Sequence, residues 1–311
     1  MRLDIAAQTD IGRRKQRNED FCGVYREDTP GLRLFSEGAL LCVADGLGGH
    51  GGGDVASKLA VSIMKDVLKE TPPATPIDAV ETESGPLPLM RQYIKKANDT
   101  VYKTNQDLVL QTPDSRPMGT TLLTAVIEPR KAWIATVGDS RAYHIREGEI
   151  ITMTEDHSWV DEQVKLGLMS KAEALTDRRK NIVTRCVGTH EETTVDTYLW
   201  HTVPGDMVML CSDGLVNMAT DQEILAEFRK NGTAAEIAQR LVTLANENGG
   251  KDNITVIVAS ISPSLIRLGM LRIRALLRRG RITPALVSAF VTWGLLCFLA
   301  GYAACYFFPL L

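Results

Sequence analysis

Short apolar runs rich in β-branched residues alternate with turn signals between residues 40 and 261, and this pattern predicts β-strands. The runs 120–127 and 132–137 are separated by one short turn. The runs 142–145 and 150–153 are separated by another, which contains Gly148. Connections of this length join antiparallel neighbours, because parallel strands need a much longer crossover. Further strands are predicted at 40–44, 195–200, 207–211 and 254–261.

Two segments have the pattern of helices. In 55–69 the apolar residues recur every four positions, and 234–246 follows Thr233 and Glu236, which form a capping box. Antiparallel strands accompanied by a few long helices predict an α+β body whose sheets are covered by helices. The segment 71–88 is rich in Pro and Thr, and we expect it to be a surface loop.

Composition and charge narrow the range of functions. The chain has 311 residues, of which 44% are hydrophobic, so it can form one large domain or two ordinary ones. Residues 1–261 carry a net charge of −9 and residues 262–311 a net charge of +6. An acidic body disfavours nucleic acid as a partner. The six cysteines form no C-x-x-C pair, which indicates buried thiols in a reducing compartment.

The C-terminal segment predicts a membrane anchor. No residue of 282–311 is charged, and the apolar stretch 285–308 exceeds the roughly 20 residues that span a bilayer as a helix. A buried core helix is the alternative. We therefore divide the chain into a body at 1–261, a basic juxtamembrane linker at 262–281 and a transmembrane helix at 282–311. Six arginines precede the helix: Arg267, Arg272, Arg274, Arg278, Arg279 and Arg281.

The charge of this linker predicts the orientation of the anchor. Positive charge stays on the cytoplasmic side, so we expect a single-pass protein of the cell membrane with its body in the cytoplasm. The arginines are also expected to contact anionic membrane lipid. Met1 to Asp4 contain no apolar segment, so we expect that the body is not exported.

Four aspartates lie where a predicted strand meets a turn: Asp45, Asp139, Asp213 and Asp252. Strand ends of one sheet system can converge at a common edge, and carboxylates gathered there repel unless they are protonated or bound to a cation. Mg²⁺ and Mn²⁺ prefer oxygen ligands of this kind. Any one of the four could instead simply form an Asx turn, so it is their recurrence that predicts a metal site.

Six short motifs contain these aspartates, and they occur in the order typical of one family. They are Thr9-Asp10-Ile11-Gly12 with Asn18-Glu19-Asp20, Asp45-Gly46-Leu47-Gly48-Gly49-His50, Gly119-Thr120-Thr121, Gly138-Asp139-Ser140-Arg141, Ser212-Asp213-Gly214-Leu215 and Asp252-Asn253-Ile254-Thr255. Residues 9–261 thereby resemble the metal-dependent protein serine/threonine phosphatases of the PPM (PP2C) family, bacterial type. The resemblance implies a four-layer αββα sandwich of two antiparallel β-sheets flanked by helices.

The resemblance also implies a binuclear Mn²⁺ or Mg²⁺ centre, which activates a water for direct attack on phosphoserine or phosphothreonine. Two ions are expected to bind tightly, and a third more weakly. The implied roles are a bridging ligand at Asp45, ligands of the first ion at Asp213 and Asp252, a carbonyl ligand of the second ion at Gly46, supporting acids at Glu19 and Asp20, and a third-ion ligand at Asp139, which acts with Asp213.

Lys15 departs from the family pattern. It stands where members of the family normally carry an arginine that grips the substrate phosphate. Lysine can hold a phosphate as a point charge, but it lacks the two-pronged guanidinium. Either Lys15 binds the phosphate, or Arg14 or Arg17 takes over, or these charges form only a solvated edge. Leu47 stands where animal members carry a proposed general acid, so the general acid is not identified.

The partners implied by the resemblance are phosphoproteins, in particular a serine/threonine kinase or its substrates, and the chain is expected to be a monomer. Residues 156–185 fall where bacterial members carry a flap beside the active site. Ser170 and Glu173 predict a capped helix within that segment.

Other functions fit the sequence less well. Residues 46–51 match G-x-G-x-x-G, a dinucleotide-binding pattern, but Asp45 would then face the pyrophosphate, and the later strands pair through hairpins. No cysteine is followed six positions later by arginine, and no P-loop occurs. A second hypothesis is a catalytically weak PPM-fold module that binds phosphoproteins. Manganese-dependent hydrolysis of a small phosphate ester would distinguish the two.

Overall fold

The computed structural model describes residues 2–26, 38–48, 52–69, 85–111, 117–128 and 130–262. These residues form two five-stranded antiparallel sheets and one short two-stranded ladder. The strands are β1 (Arg2–Asp10), β2 (Phe21–Arg26), β3 (Ala39–Ala44), β4 (Gly46–Leu47), β5 (Gly119–Thr120), β6 (Leu122–Glu128), β7 (Lys131–Val137), β8 (Arg141–Arg146), β9 (Glu149–Met153), β10 (Asp196–His201), β11 (Met207–Cys211) and β12 (Ile254–Ser262).

Strand order within each sheet combines local hairpins with long-range pairs. The first sheet has the order β1-β12-β11-β8-β9 and the second β10-β7-β6-β3-β2, whereas β4 pairs only with β5. Both predicted hairpins are present: Glu128 pairs with Lys131, and Arg146 pairs with Glu149. The pairing of β1 with β12 joins opposite ends of the described chain, with Arg2 opposite Ser262.

The described residues also form seven α-helices, five of which cover the outer faces of the sheets. They are α1 (Gly52–Lys65), α2 (Leu87–Gln111), α3 (Trp159–Lys165), α4 (Lys171–Thr176), α5 (Asp213–Val216), α6 (Asp221–Arg229) and α7 (Ala234–Glu247), with a 3-10 turn at Asp66–Lys69. Helices α1 and α2 pack on the second sheet, and α5, α6 and α7 pack on the first. The predicted sandwich of two antiparallel sheets with flanking helices is confirmed.

The central strands are apolar on both faces because they lie between two layers. In β3, Leu41 and Val43 point into the core between the sheets, whereas Leu40 and Cys42 pack against the helical layer. Every residue of β3 is fully buried. A strand of this kind appears in the sequence as a continuous apolar run, and this explains why its prediction was straightforward.

Several predicted boundaries were wrong. The strand at 120–127 is divided at Thr121, whose N–H donates to the Asp45 carbonyl and leaves the ladder. The helix at 55–69 begins earlier, at Gly52, and tightens to a 3-10 turn after Lys65. The predicted loop 71–88 ends too late, because Leu87 and Pro88 form the first turn of α2, where proline is tolerated. Ser262, placed in the linker, is the last residue of β12.

The remaining predictions on the C-terminal segment lie outside the described residues. These concern the linker from residue 263 onward and the transmembrane helix at 282–311. In the part of the chain that the structure describes, no helix is both long enough and apolar enough to span a bilayer. The glycine-rich residues 49–51, including His50, also lie outside it.

Candidate active site

The predicted acidic residues come together at one end of the sandwich. Asp45 follows β3, Asp139 follows β7, and Asp213 follows β11, whereas Asp20 and Asp252 precede β2 and β12. The charges of Asp20, Asp139, Asp213 and Asp252 all act on the carboxyl group of Asp45. Antiparallel pairing places these five strand ends at the same edge, which is why residues far apart in sequence become neighbours.

The cluster carries more negative charge than its surroundings can solvate. Burial raises the pKa of Asp45 well above its usual range, and the neighbouring carboxylates raise it further. Burial likewise raises the pKa of Asp139, to which Asp213 and Asp156 contribute. The pKa values of Asp20 and Asp213 are also raised, chiefly by burial. Such a cluster gains stability from any bound cation or proton.

Asp20 is held by two hydroxyl groups. Its Oδ2 accepts from Ser212 Oγ and from Thr255 Oγ1, each at 2.7 Å, and Ser212 Oγ in turn accepts from the Thr255 N–H. Its Oδ1 is buried and accepts no hydrogen bond. The residue is only 5% exposed. The hydroxyls therefore fix one oxygen and leave the other free for a ligand, since a buried carboxylate oxygen without a partner is costly.

Asp213 shows the same arrangement. Its Oδ2 accepts from Asn217 Nδ2 at 2.9 Å, one turn along α5, and its Oδ1 is buried without a donor. Burial raises the pKa of Asp213 to about 6, and a hydrogen bond shared with the adjacent Asp45 carboxyl offsets part of this rise. Gly214 is required beside it, because a Cβ there would lie 1.9 Å from the Asn253 carbonyl oxygen.

Thr121 links the turn at Asp45 to the turn at Asp139. The Asp45 N–H donates to Thr121 Oγ1 at 2.9 Å, and Thr121 Oγ1 lies 2.7 Å from the hydroxyl of Ser140. Thr120 Oγ1 donates to the Asp45 carbonyl. These contacts give a physical role to the Gly-Thr-Thr and Gly-Asp-Ser-Arg motifs, because they fix two carboxylate-bearing turns relative to each other.

Gly46 lies where two backbones approach closely. A Cβ on Gly46 would come within 2.2 Å of the Gly53 carbonyl oxygen and 2.6 Å of the Glu19 carbonyl oxygen. Ser57 Oγ, on α1, donates to the same Glu19 oxygen at 2.7 Å. The first turn of α1 is therefore packed against both Gly46 and Glu19, which are the predicted carbonyl ligand and one of the supporting acids.

Asn253 ties the loop before β2 to the start of β12. Its Oδ1 accepts from the Glu19 N–H, and its Nδ2 donates to the carbonyls of Ile11 and Arg17, each at 2.9 Å. The residue is 2% exposed. The loop that carries Lys15 is thereby held beside Asp252 by one buried amide.

The predicted phosphate-binding residues lie on this loop. Lys15 Nζ is 2.6 Å from Asp252 Oδ1, so the ammonium contacts the acidic cluster directly. Arg14 and Arg17 are exposed on the same loop. Their backbones help to fix the loop, because the Arg14 N–H donates to the Gly250 carbonyl and the Arg17 carbonyl accepts from Asn253. Of the three, only Lys15 is paired with a predicted metal ligand in the structure as described.

His157 was not singled out from the sequence. It is 1% exposed on its side chain, and its Nδ1 accepts from the Gly138 N–H at 3.0 Å. The His157 N–H donates to the Gly138 carbonyl. Its Nε2 lies 3.1 Å from Asp196 Oδ2. His157 therefore holds the turn before Asp139 through two hydrogen bonds to Gly138. Because Nδ1 accepts one of them, the ring proton lies on Nε2.

A second set of missed residues supports the site from α2. Asn98 and Asn105 are buried on this helix, and their amides bond to the segments beside Gly188 and Met118. Gly188 has a φ of +93°, and a Cβ there would clash with Val101. The only signal available in the sequence was polar residues within a helical apolar stripe.

The chemistry of the cluster fits hard divalent cations. All the donors are carboxylate or carbonyl oxygens, and two buried carboxylate oxygens, one each on Asp20 and Asp213, have no partner. Among the described residues, no three His, Cys, Asp or Glu side chains stand as a ready-made set of metal ligands. Instead, the carboxylates are bonded to hydroxyls, to amides and to Lys15.

The chain matches a known protein family over most of its length. The family model described as protein phosphatase 2C matches residues 11–255. The serine/threonine phosphatase stp of Listeria monocytogenes is 36% identical over 256 residues, covering 81% of this chain and 93% of that protein. Protein phosphatase PhpP of Streptococcus pneumoniae is 31% identical over 260 residues, covering 84% and 98%.

Solved structures agree in fold. The Streptococcus agalactiae serine/threonine phosphatase superimposes with a TM-score of 0.71 at 31% identity, covering 84% of this chain and all of that one. The catalytic domain of the phosphatase PstP in complex with two manganese ions gives a TM-score of 0.65 at 30% identity, covering 84% and 99%. Metal dependence is general for this family. The chain therefore belongs to the protein phosphatase 2C family and is a metal-dependent protein serine/threonine phosphatase.

Proposed function

We propose that the acidic cluster holds two Mn²⁺ or Mg²⁺ ions, with a third bound more weakly. Asp45, Asp213, Asp252 and the Gly46 carbonyl would hold the two tightly bound ions. Glu19 and Asp20 would support the ions through waters, and Asp139 would hold the third together with Asp213. The observation that carries this proposal is the pair of buried, unpartnered carboxylate oxygens on Asp20 and Asp213.

The bound ions would supply an activated water and positive charge for the phosphoryl oxygens. The chain's own residues position this chemistry. Ser212 and Thr255 aim the free oxygen of Asp20, Thr121 fixes the turn at Asp45, and Lys15 places a positive charge at the rim of the site. Positioning and electrostatic stabilisation account for most of catalysis in phosphoryl transfer.

We further propose that the substrates are proteins that carry phosphoserine or phosphothreonine, and that the enzyme opposes a serine/threonine kinase. The relatives in Listeria and Streptococcus are named serine/threonine phosphatase or protein phosphatase, and this supports the class of substrate. The phosphate would meet Lys15 first, with Arg14 and Arg17 exposed beside it on the same loop.

We propose that the enzyme acts at the cytoplasmic face of a membrane. Support comes from the sequence alone: an uncharged apolar segment at 285–308 that is long enough to span a bilayer, preceded by six arginines. Because Ser262 belongs to β12, the proposed linker begins after residue 262, and the proposed transmembrane helix begins at residue 282. Fractionation of cells that express the full chain tests this part, and recovery of the intact protein in the soluble fraction would contradict it.

The central test is manganese-dependent hydrolysis of p-nitrophenyl phosphate and of a phosphothreonine peptide. Asp213→Asn should abolish activity, because it removes a charged ligand while keeping the shape of the side chain. Asp107→Asn, at an exposed position on α2, removes the same charge away from the site and should retain full activity. Full activity of Asp213→Asn at saturating Mn²⁺ would overturn the ligand assignment, and inactivity of the wild type would favour a phosphoprotein-binding module.

A further inference from the structure

The ammonium of Lys15 occupies the outer edge of the acidic cluster. Its Nζ lies 2.6 Å from Asp252 Oδ1, and the two side chains are 40% and 38% exposed. The same Oδ1 accepts from the Asn253 backbone N–H at 2.8 Å. One oxygen of a predicted metal ligand therefore already has two donors, one of which carries a full positive charge.

Several predicted metal ligands together create the negative electrostatic potential at Lys15. Partial burial acts against the charged form, but the hydrogen bond to Asp252 and the charges of Asp252, Asp45 and Glu19 outweigh it and raise the pKa of Lys15. In return, the charge of Lys15 offsets part of the rise that burial and Asp252 cause in the pKa of Asp213. Lys15 thus acts as a counter-ion for the acidic cluster as a whole.

The backbone around Lys15 is fixed, whereas its side chain can move. The N–H groups of Arg13 and Arg14 donate to the Gly250 carbonyl, and the Arg17 carbonyl accepts from the buried Asn253. The four-carbon stem of lysine ends in a compact charge with freely rotating donors. The ammonium can therefore leave Asp252 and turn toward the solvent side of the site without movement of the loop.

One ammonium cannot fully neutralise Asp252 and a phosphate dianion at once, and a divalent cation on Asp252 would repel it. We propose that Lys15 is an internal counter-ion that an incoming metal ion displaces from Asp252, and that only the displaced ammonium is available to the substrate phosphate. This inference rests on the proposed metal site. Its consequence is ordered binding, because the metal-free enzyme keeps its phosphate-binding lysine engaged.

The first test measures metal affinity without phosphate. Isothermal titration of Mn²⁺ into the full-length Lys15→Met variant should show affinity about two- to fivefold higher than that of the wild type, as expected for removing one partly exposed ion pair. Arg13→Met is the matched control, since it removes the same charge from the same loop and its side chain packs against Gly250. Equal affinities of the two variants, or weaker binding by Lys15→Met, would overturn the inference.

The second test follows the ammonium itself. In the metal-free protein, the ¹H–¹⁵N signal of the Lys15 ammonium should show slow proton exchange and a shift that is lost in Asp252→Asn. Saturating Mg²⁺ should raise the proton exchange rate of the Lys15 ammonium to that of the exposed lysines. Inorganic phosphate should then lower this exchange rate again. If Mg²⁺ binds and the Lys15 signal stays unchanged, the inference fails and the metal site stands. If neither Mg²⁺ nor Mn²⁺ binds, both fail.

Discussion

Replacing Asn253 with alanine should weaken the fold and the metal site together. The buried amide makes three side-chain hydrogen bonds, each at 2.9 Å, to the Glu19 N–H and to the carbonyls of Ile11 and Arg17. A hydrogen bond of this kind contributes about 1 kcal/mol net. Asn253→Ala should therefore lower the free energy of unfolding by about 3 kcal/mol, and it frees the loop that carries Lys15 and Glu19.

The measurement is urea unfolding in the presence of a chelator, followed by circular dichroism and compared at an unchanged m-value. Asn248→Ala is the matched control: this asparagine is exposed and donates to the Met218 carbonyl, so its loss should cost about 1 kcal/mol or less. The apparent affinity for Mn²⁺ should also fall in Asn253→Ala but not in the control, because Asn253, unlike Asn248, bonds to the loop beside Asp252.

Asn253→Asp separates hydrogen bonding from packing. The aspartate keeps an acceptor for the Glu19 N–H, but it turns a second oxygen toward two carbonyls that formerly accepted from the amide. It should therefore be at least as unstable as Asn253→Ala at neutral pH. The reasoning is refuted if Asn253→Ala loses less than about 1 kcal/mol, or if Asn253→Asp is as stable as the wild type.

The pH dependence of stability, the contact made by His157 and the role of residues 263–311 can each be tested. Burial raises the pKa of Asp20 to about 7 and of Asp213 to about 6, from the ordinary value of 3.8, so the folded metal-free protein binds more protons than the unfolded chain between these pH values. Its free energy of unfolding should therefore fall as the pH rises from about 4 to about 7, and a slope that persists with saturating Mn²⁺ would contradict this. His157→Ala removes the acceptor of the Gly138 N–H, so it should lower the free energy of unfolding in urea by about 1 to 3 kcal/mol and weaken Mn²⁺ binding. His157→Asn keeps an oxygen near the Nδ1 position and should recover part of both losses. Deletion of 263–311 should release the protein from membranes and leave turnover of p-nitrophenyl phosphate within about twofold, since the predicted site residues all precede Ser262.

The sequence predicts local structure better than long-range pairing. The hairpin between β6 and β7 and the capping boxes at Ser170 and Thr233 depend on residues a few positions apart, and all three are present. The pairing of β1 with β12 could not be predicted from such local signals. Its two strands are separated by most of the body, and no local signal marks one as the partner of the other.

Helix α2 was not predicted because buried asparagines interrupt its apolar face. Leu87, Met90, Ile94, Ala97 and Val101 have helical spacing and are buried on one face, but Asn98 and Asn105 interrupt that face. Buried polar residues lower the apparent hydrophobic periodicity, so the helix was missed. The two asparagines are there because their amides hold the segments beside Met118 and Gly188.

The acids of the site were easier to predict than the residues that orient them. Aspartates at strand ends stand out against apolar runs, whereas Ser212, Thr255 and Thr121 are ordinary residues for strands and turns. Their function depends on which carboxylate they reach: Ser212 and Thr255 both donate to Asp20, across more than 190 positions of sequence. Only the assembled sheets bring these hydroxyls to the acid.

The strand-end position of the acids has an energetic consequence. Repelling carboxylates on flexible loops could move apart, but here each turn is held by a sheet ladder and by side chains such as Thr121 and Asn253, so the repulsion is retained in the fold. A ligand that binds only the folded state stabilises it by about 2.7 kcal/mol at one hundred times its dissociation constant. Bound metal should therefore stabilise this protein as well as activate it. Protons bound by Asp20 and Asp213, whose pKa values are raised, and the ammonium of Lys15 beside Asp252 should offset part of the same repulsion in the metal-free protein.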